Sequence, residues 1–143
     1  TGLFEGTGWL AVAVALLRGT ELVGEIVAML LCILAFENAR RWYVYCRDAR
    51  MNGIGPLARR EIERITPTLH LIGHAAPVAL GIIVLIGGPS WALAGAGLAA
   101  VAGGSLWKIV VITRACYQQG FALPKMPRRG SGRRAAPARL GGL

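Results

Sequence analysis

Residues 91–112 read WALAGAGLAAVAGGSLWKIVVI, an apolar run broken by one charge, Lys108, close to its end. A helix needs about 20 apolar residues to cross a bilayer, and this run has that length. Its small residues recur at helical spacing: Gly95, Ala99 and Gly103 form one stripe, and Ala92, Ala96, Ala100 and Gly104 form a second beside it. Lipid gives helices no hydrophobic reason to associate, so stripes of this kind serve close backbone approach. Trp91 and Trp107 stand 16 positions apart. That is about 24 Å along a helix, close to the separation of two membrane–water interfaces. Lys108 is then placed to snorkel toward the nearer one.

Three further apolar stretches precede this one, at residues 2–17, 22–36 (continuing into Trp42) and 69–86. Short polar turns at 18–21 and 87–90 join them in pairs. Pro77 lies inside the third stretch and predicts a kink that neighbouring helices tolerate. Gly2 and Gly6 form a small pair in the first stretch. No alternation of β type occurs, which argues against a β-barrel. The expected fold is all-α: a polytopic transmembrane bundle of about four spans in two hairpins over residues 1–126. The tail, 127–143, is basic and rich in Pro, Gly, Ala and Arg, a composition that predicts disorder. The first stretch is short for a span, so the chain is expected to be the C-terminal part of a longer protein.

The net charge is +9, from 16 Lys and Arg against 7 Asp and Glu, while 55% of residues are hydrophobic and the mean hydropathy is +0.53. Charge and apolarity are segregated along the chain, which sets aside a uniformly basic nucleic-acid binder. Arginines concentrate in a polar connection, residues 37–68, and in the tail. With four spans these two segments share one face, and the positive-inside rule makes that face cytoplasmic. Pro56 suits the first position of a short helix. Leu57, Ala58, Ile62 and Ile65 share one sector of it, as in a helix lying on the membrane surface; a solvated loop is the competing reading. Cys32, Cys46 and Cys116 show neither CxxC nor metal spacing, so no disulfide framework is expected.

Polar residues within apolar stretches are the natural site candidates, because burying them in lipid is costly. Glu5 reads as a protonatable group facing the bundle interior or a quinone pocket, or as a helix-end residue near water. Glu37 and Asn38 close the second stretch, where an interfacial position accounts for them. His70 and His74, four apart at the start of the third stretch, suit proton handling or hydrogen bonding to a quinone. A structural hydrogen bond is their alternative role. No third ligand accompanies them, and the histidines from separate helices that a membrane haem requires are not seen. Phosphate-binding loops, nucleophile elbows and paired carboxylates are not found either.

The end of the last stretch carries a more specific signal. Thr113-Arg114-Ala115-Cys116-Tyr117-Gln118-Gln119-Gly120-Phe121-Ala122-Leu123-Pro124 resembles the C-terminal signature of the NrfD-like and DMSO-reductase-type membrane anchor subunits. In those proteins the last helix ends in Thr-Arg-Ala-x-Tyr-x-Gln-Gly-Phe-Ala-Leu-Pro. Residues 36–53, FENARRWYVYCRDARMNG, are similar to the polar connection of the same subunits. Within the group, the anchors of phenylacetyl-CoA:acceptor oxidoreductases look most similar. The resemblance implies an eight-helix anchor, here its C-terminal half, that exchanges electrons with membrane quinol or menaquinol. It binds no haem, and its partners are an iron–sulfur subunit and a molybdopterin catalytic subunit. In such proteins the quinone pocket is built largely by the N-terminal half, so its residues are not carried over. Arg114, Tyr117, Gln118 and Gln119 match the motif at the membrane surface. The resemblance gives them a role in contact with the iron–sulfur partner, beside the simpler one of capping and anchoring the last helix.

The expected function is therefore a quinol-interacting membrane anchor of a molybdopterin and iron–sulfur oxidoreductase, with no cofactor held in this chain. The alternative is a small non-redox membrane protein, either a transporter fragment or an assembly scaffold. A basic membrane-surface adaptor ranks third.

Overall fold

The computed structural model describes residues 2–51 and 56–115, and its regular structure is helical throughout. Helix α1 is Gly2–Leu16, α2 is Glu21–Met51 and α3 is Pro56–Thr68. A π-helical segment, Leu69–Ala75, leads without a break into α4, Ala76–Leu85. Helix α5, Ser90–Val110, ends in a second π-helical segment, Val111–Ala115. Tyr117, Gln118, Gln119 and the tail 127–143 lie outside the described residues.

Three helical stretches are long and apolar enough to cross a membrane: Glu21–Asp48, Ala58–Leu85 and Ser90–Thr113. Of the four expected spans, the first is the short one. Helix α1 is apolar, but its 15 residues reach only about 22 Å, against a hydrocarbon core of about 30 Å. The apolar side chains that the bundle leaves uncovered suit lipid. Leu22, Ile26, Met29, Ile33 and Phe36 all stand exposed on α2, on the face opposite buried Val27, Ala28, Leu31 and Ala35. In water, so continuous an apolar face would drive association.

Small residues set how closely the helices pack. Helix α1 runs antiparallel to α5, and they meet where Gly8 faces Gly97. A Cβ on Gly97 would collide with the Gly8 carbonyl, and one on Gly8 would come within 2.7 Å of the Gly97 carbonyl. The stripe of Ala92, Ala96, Ala100 and Gly104 is buried, as its spacing predicts. The expected pair in α1 is a different matter. Gly2 and Gly6 are exposed, with nothing within 4 Å of an added Cβ. The face of α1 that packs is that of Phe4, Thr7, Gly8 and Ala11, one position on from the expected glycines.

The turns 17–20 and 86–89 lie together at one end of the bundle, around a groove bordered by Arg18, Thr20, Glu21, Gly87 and Ser90. The second turn stops α4 through a pair of hydrogen bonds: Gly88 N–H donates to Ile83 C=O at 2.8 Å, and Gly87 N–H to Val84 C=O at 3.0 Å. That arrangement needs a left-handed residue, supplied by Gly87 at φ 83°.

The polar connection differs most from the sequence reading. Helix α2 continues through Glu37 to Met51, 31 residues in all, about 46 Å and longer than the hydrocarbon core. Helix α3 runs directly into the third apolar stretch. The sector of Ala58, Ile62 and Ile65 therefore faces protein. With Leu69 it closes over Trp42, flanked by Tyr45, Cys46, Leu106, Trp107, Val110 and Val111, to form a second core at the basic end. The periodicity was sufficient to show an apolar face, but not to show what covers it. Charges stay outside, where Glu37 accepts from Arg40 (2.8 and 2.9 Å) and Arg41 (3.1 Å), and Glu63 from Arg59 (2.9 Å). Each exposed pair adds about 0.5 kcal/mol or less.

The kink expected at Pro77 takes the form of π-helix. Across Leu69–Ala75 the ladder shifts by one residue, so that Ala76 N–H donates to Leu71 C=O. Pro77 follows directly and has no N–H to place, so the shift back to α register loses no donor there.

These contacts separate the glycines that pack, Gly8 and Gly97, from those that do not, Gly2 and Gly6. Gly97→Leu is expected to destabilise the bundle by about 1–3 kcal/mol through overpacking, whereas Gly6→Leu stays within about 0.5 kcal/mol. Thermal unfolding in detergent distinguishes the two; equal effects would contradict this packing.

Candidate functional site

At the basic end of the bundle, four elements leave a cavity of about 170 Å³. Helix α2 supplies Asn38, Arg41, Trp42 and Tyr45, spaced i, i+3, i+4 and i+7 and therefore on one helix face. The π-helical segment supplies Leu69, Gly73 and His74; α5 supplies Gly103, Gly104 and Trp107; α1 supplies Phe4. The cavity exists because two backbones touch beside it. Gly73 and Gly103 are in such close contact that a Cβ on Gly103 would overlap the Gly73 backbone. Bulkier residues there would push the π segment away from α5.

Aromatic rings form much of the wall. Trp42 and Tyr45 have ring centroids 5.6 Å apart at an interplanar angle of 31°. The Trp42 indole N–H donates to Thr66 Oγ1 at 3.3 Å, and the Thr66 hydroxyl donates to the Ile62 carbonyl at 2.7 Å, which fixes the indole against α3. Trp107 was expected to mark a membrane interface; it turns inward and packs against this core, while Trp91 is exposed at the other end. Polar groups reach the cavity from Asn38, Arg41 and His74. Asn38 can both donate and accept, Arg41 only donates, and neutral His74 does one with each nitrogen.

His74 is buried and His70 exposed. Their Nδ1 atoms are 3.2 Å apart and their ring centroids 5.1 Å. A hydrogen bond at that distance requires one Nδ1–H to donate and the other Nδ1 to accept, so the pair holds opposite tautomers. The two histidines that the sequence places on one helix face are thus bonded to each other. Among the described residues no group of three or more His, Cys, Asp or Glu is placed to hold a metal ion.

Glu5 stands next to this site. Its Oε2 accepts a hydrogen bond from Lys108 Nζ at 2.6 Å, across 103 positions of sequence. Its Oε1 is buried with no hydrogen-bond partner and lies against Gly104, where a Cβ would clash with it. Gly104 thus separates the carboxylate from the cavity that it lines. The sequence showed Glu5 as an interior polar group and Lys108 as a snorkelling one, but no local signal joins residues so far apart. Glu37 is engaged with Arg40 and Arg41 on the outside. Arg114 belongs to the π-helical end of α5.

Arg41, Trp42 and Tyr45 are the site residues that sequence reasoning passed over, and Asn38 was given an interfacial place. Their i, i+3, i+4, i+7 spacing was visible, but it starts where the second stretch closes and runs on into the polar connection. No protein-family model matches the chain, and no curated protein or solved structure matches it either.

Removing one partner of the Glu5–Lys108 pair leaves a charge without its counterion. Lys108→Met is expected to cost about 1–3 kcal/mol, toward the low end because the lysine side chain is 40% exposed. Adding Glu5→Gln to Lys108→Met should recover most of that loss in a double-mutant cycle of thermal stability. Additive losses would show that the pair does not couple.

Proposed function

We propose that this chain is a membrane anchor subunit that exchanges electrons between the quinone pool and an iron–sulfur subunit, which in turn serves a molybdopterin catalytic subunit. The observation that carries the reading is the aromatic-walled cavity with Asn38, Arg41 and His74 on its lining. A quinone ring is flat and carries two opposed oxygens, so it calls for apolar faces with a few hydrogen-bonding groups at the edge. At about 170 Å³ the cavity is smaller than the roughly 300–1,000 Å³ of pockets for drug-sized ligands. It suits a single ring system, with any tail left outside.

A place for such a tail adjoins it. An apolar groove of about 600 Å³ runs between α2 and α4, bordered by Ala35, Phe36, Val78 and Ile82. His74 borders both groove and cavity. A lipid-soluble molecule entering from the bilayer would meet the imidazole with its ring end. The resemblance of residues 113–124 to the last-helix signature of NrfD-like anchors supports the same reading from a separate part of the chain.

In this mechanism quinol gives up two electrons and two protons. The electrons leave to iron–sulfur clusters held by the partner, and this chain positions the ring, keeps water from its faces and receives protons. His74 serves as hydrogen-bond partner and proton acceptor; Asn38 and Arg41 orient the oxygens. The basic end, with the arginines of α2 and α3, faces the cytoplasm of a bacterial inner membrane and offers the docking surface. The competing reading is a non-redox transporter fragment, favoured by the π-helical break between Pro67 and Pro77, since transporters place substrate sites at interrupted helices.

A tagged protein purified from its host in mild detergent should carry an iron–sulfur subunit, and the complex should turn over a quinol. His74→Gln should lower that turnover by about tenfold or more. Purification without an iron–sulfur partner and without quinol-linked electron transfer would contradict the proposal and leave the transporter reading.

A further inference from the structure

The two histidines of the π-helical segment both border the apolar groove between α2 and α4, and each also opens onto a space that the other does not line. His74 is buried and lines the aromatic cavity. His70 is exposed and borders a separate groove of about 460 Å³ between the extended ends of α2 and α3. That second groove is polar at its rim, where Arg47, Arg59 and Glu63 stand. The 3.2 Å Nδ1 to Nδ1 contact is the bridge between the two spaces.

We infer that His74 and His70 form a proton relay from the cavity to the groove at the basic end. The inference rests on the cavity's being the site where a proton is released, as in the function proposed above. An acid in the cavity, there the quinol hydroxyl, protonates His74 at Nε2. The His74 Nδ1–H bond breaks as the His70 Nδ1–H bond forms. His70 then releases its Nε2 proton to water in the groove. One proton enters and one leaves, and no electron moves along the pair. Each passage leaves both rings in the opposite tautomer, so a second passage in the same direction requires both to reset. Exposed His70 can do so by exchange with water, and His74 by losing its Nε2–H to water that enters the cavity between passages and taking a proton from water at Nδ1.

Fixed charge does not set the direction: the cavity lining carries Arg41, held by Glu37 at 3.1 Å, and the groove rim carries Arg47 and Arg59 against Glu63. The direction follows from the side on which the proton is released. Both rings are carried by the π-helical segment Leu69–Ala75.

The test uses the intact protein labelled with nitrogen-15 histidine in detergent micelles. In the wild type, NMR should show coupling through the hydrogen bond between the two Nδ1 atoms. The ring protons of His74 should exchange with bulk water about tenfold or more faster than in His70→Gln. His70 is exposed, so this replacement leaves the packed core untouched. Exchange at the wild-type rate in His70→Gln, or the absence of coupling in the wild type, would overturn the relay. Neither readout needs quinol. A wild-type protein without quinol turnover would count against the proposed function alone, and the relay would still be decided by the exchange rate.

Discussion

At Gly103 and Gly104 the backbone of α5 is approached from two directions, by Gly73 of the π-helical segment and by the Glu5 side chain of α1. A methyl group on Gly103 would meet backbone, and one on Gly104 would displace the Glu5 side chain. One contact holds the segment that carries His70 and His74 at the depth where His74 meets the cavity. The other holds α1 so that Phe4 closes the cavity wall and Glu5 reaches Lys108. Further along α5, Gly97 against Gly8 fixes the same antiparallel pairing at a second point. Two contacts along one axis set both the separation and the register of α1, which is why a helix too short to cross the hydrocarbon core is nonetheless held in place. Packing of this kind gains from dispersion and from backbone proximity rather than from the removal of water, as expected where lipid surrounds the helices.

Above this frame the chain combines two kinds of core. Toward the two short turns, Leu31, Ala92, Leu93, Ala96 and their neighbours form an apolar core inside an exposed apolar belt. Toward the basic end, α2 and α3 extend past the apolar spans and build a core of their own around Trp42, with arginines outside. The cavity lies near where these two regimes meet. A membrane interior makes every polar group costly, whereas an aqueous face dissipates charge. Only near their boundary can an aromatic pocket hold Asn38, Arg41 and His74 and still face lipid through an adjoining groove. The charge pairs outside are weak individually, and one of the paired arginines, Arg41, also lines the cavity.

Much of this was legible in the residues. The all-helical class, the apolar stretches, the paired short turns, the buried Ala92–Gly104 stripe and the apolar sector of Ala58, Ile62 and Ile65 follow from periodicity and composition. His70 and His74 stood out because imidazoles are rare in such a setting. The rest depended on contacts between residues distant in sequence. Glu5 and Lys108 were each visible, but their pairing was not. Polarity marked residues 37–68 as a connection, and the same polarity is what a helix needs on its outer face once its inner face is covered. That inner face, Asn38 to Tyr45, could be recognised only after Trp42 had found Ile62. Gly2 and Gly6 mislead for the same reason: spacing identifies a small face but not whether another helix stands against it.

The account turns on the cavity's accepting a quinone ring, and its own indoles can report that directly. Trp42 and Trp107 line it, whereas Trp9 and Trp91 are exposed elsewhere. A water-soluble short-chain quinone titrated into the purified protein should quench tryptophan emission with saturation. Asn38→Phe, which enlarges a side chain on the cavity lining, should abolish the saturable part and leave only collisional quenching. Quenching that rises linearly in the wild type, or saturation unchanged by Asn38→Phe, would contradict the assignment of this cavity as the quinone site.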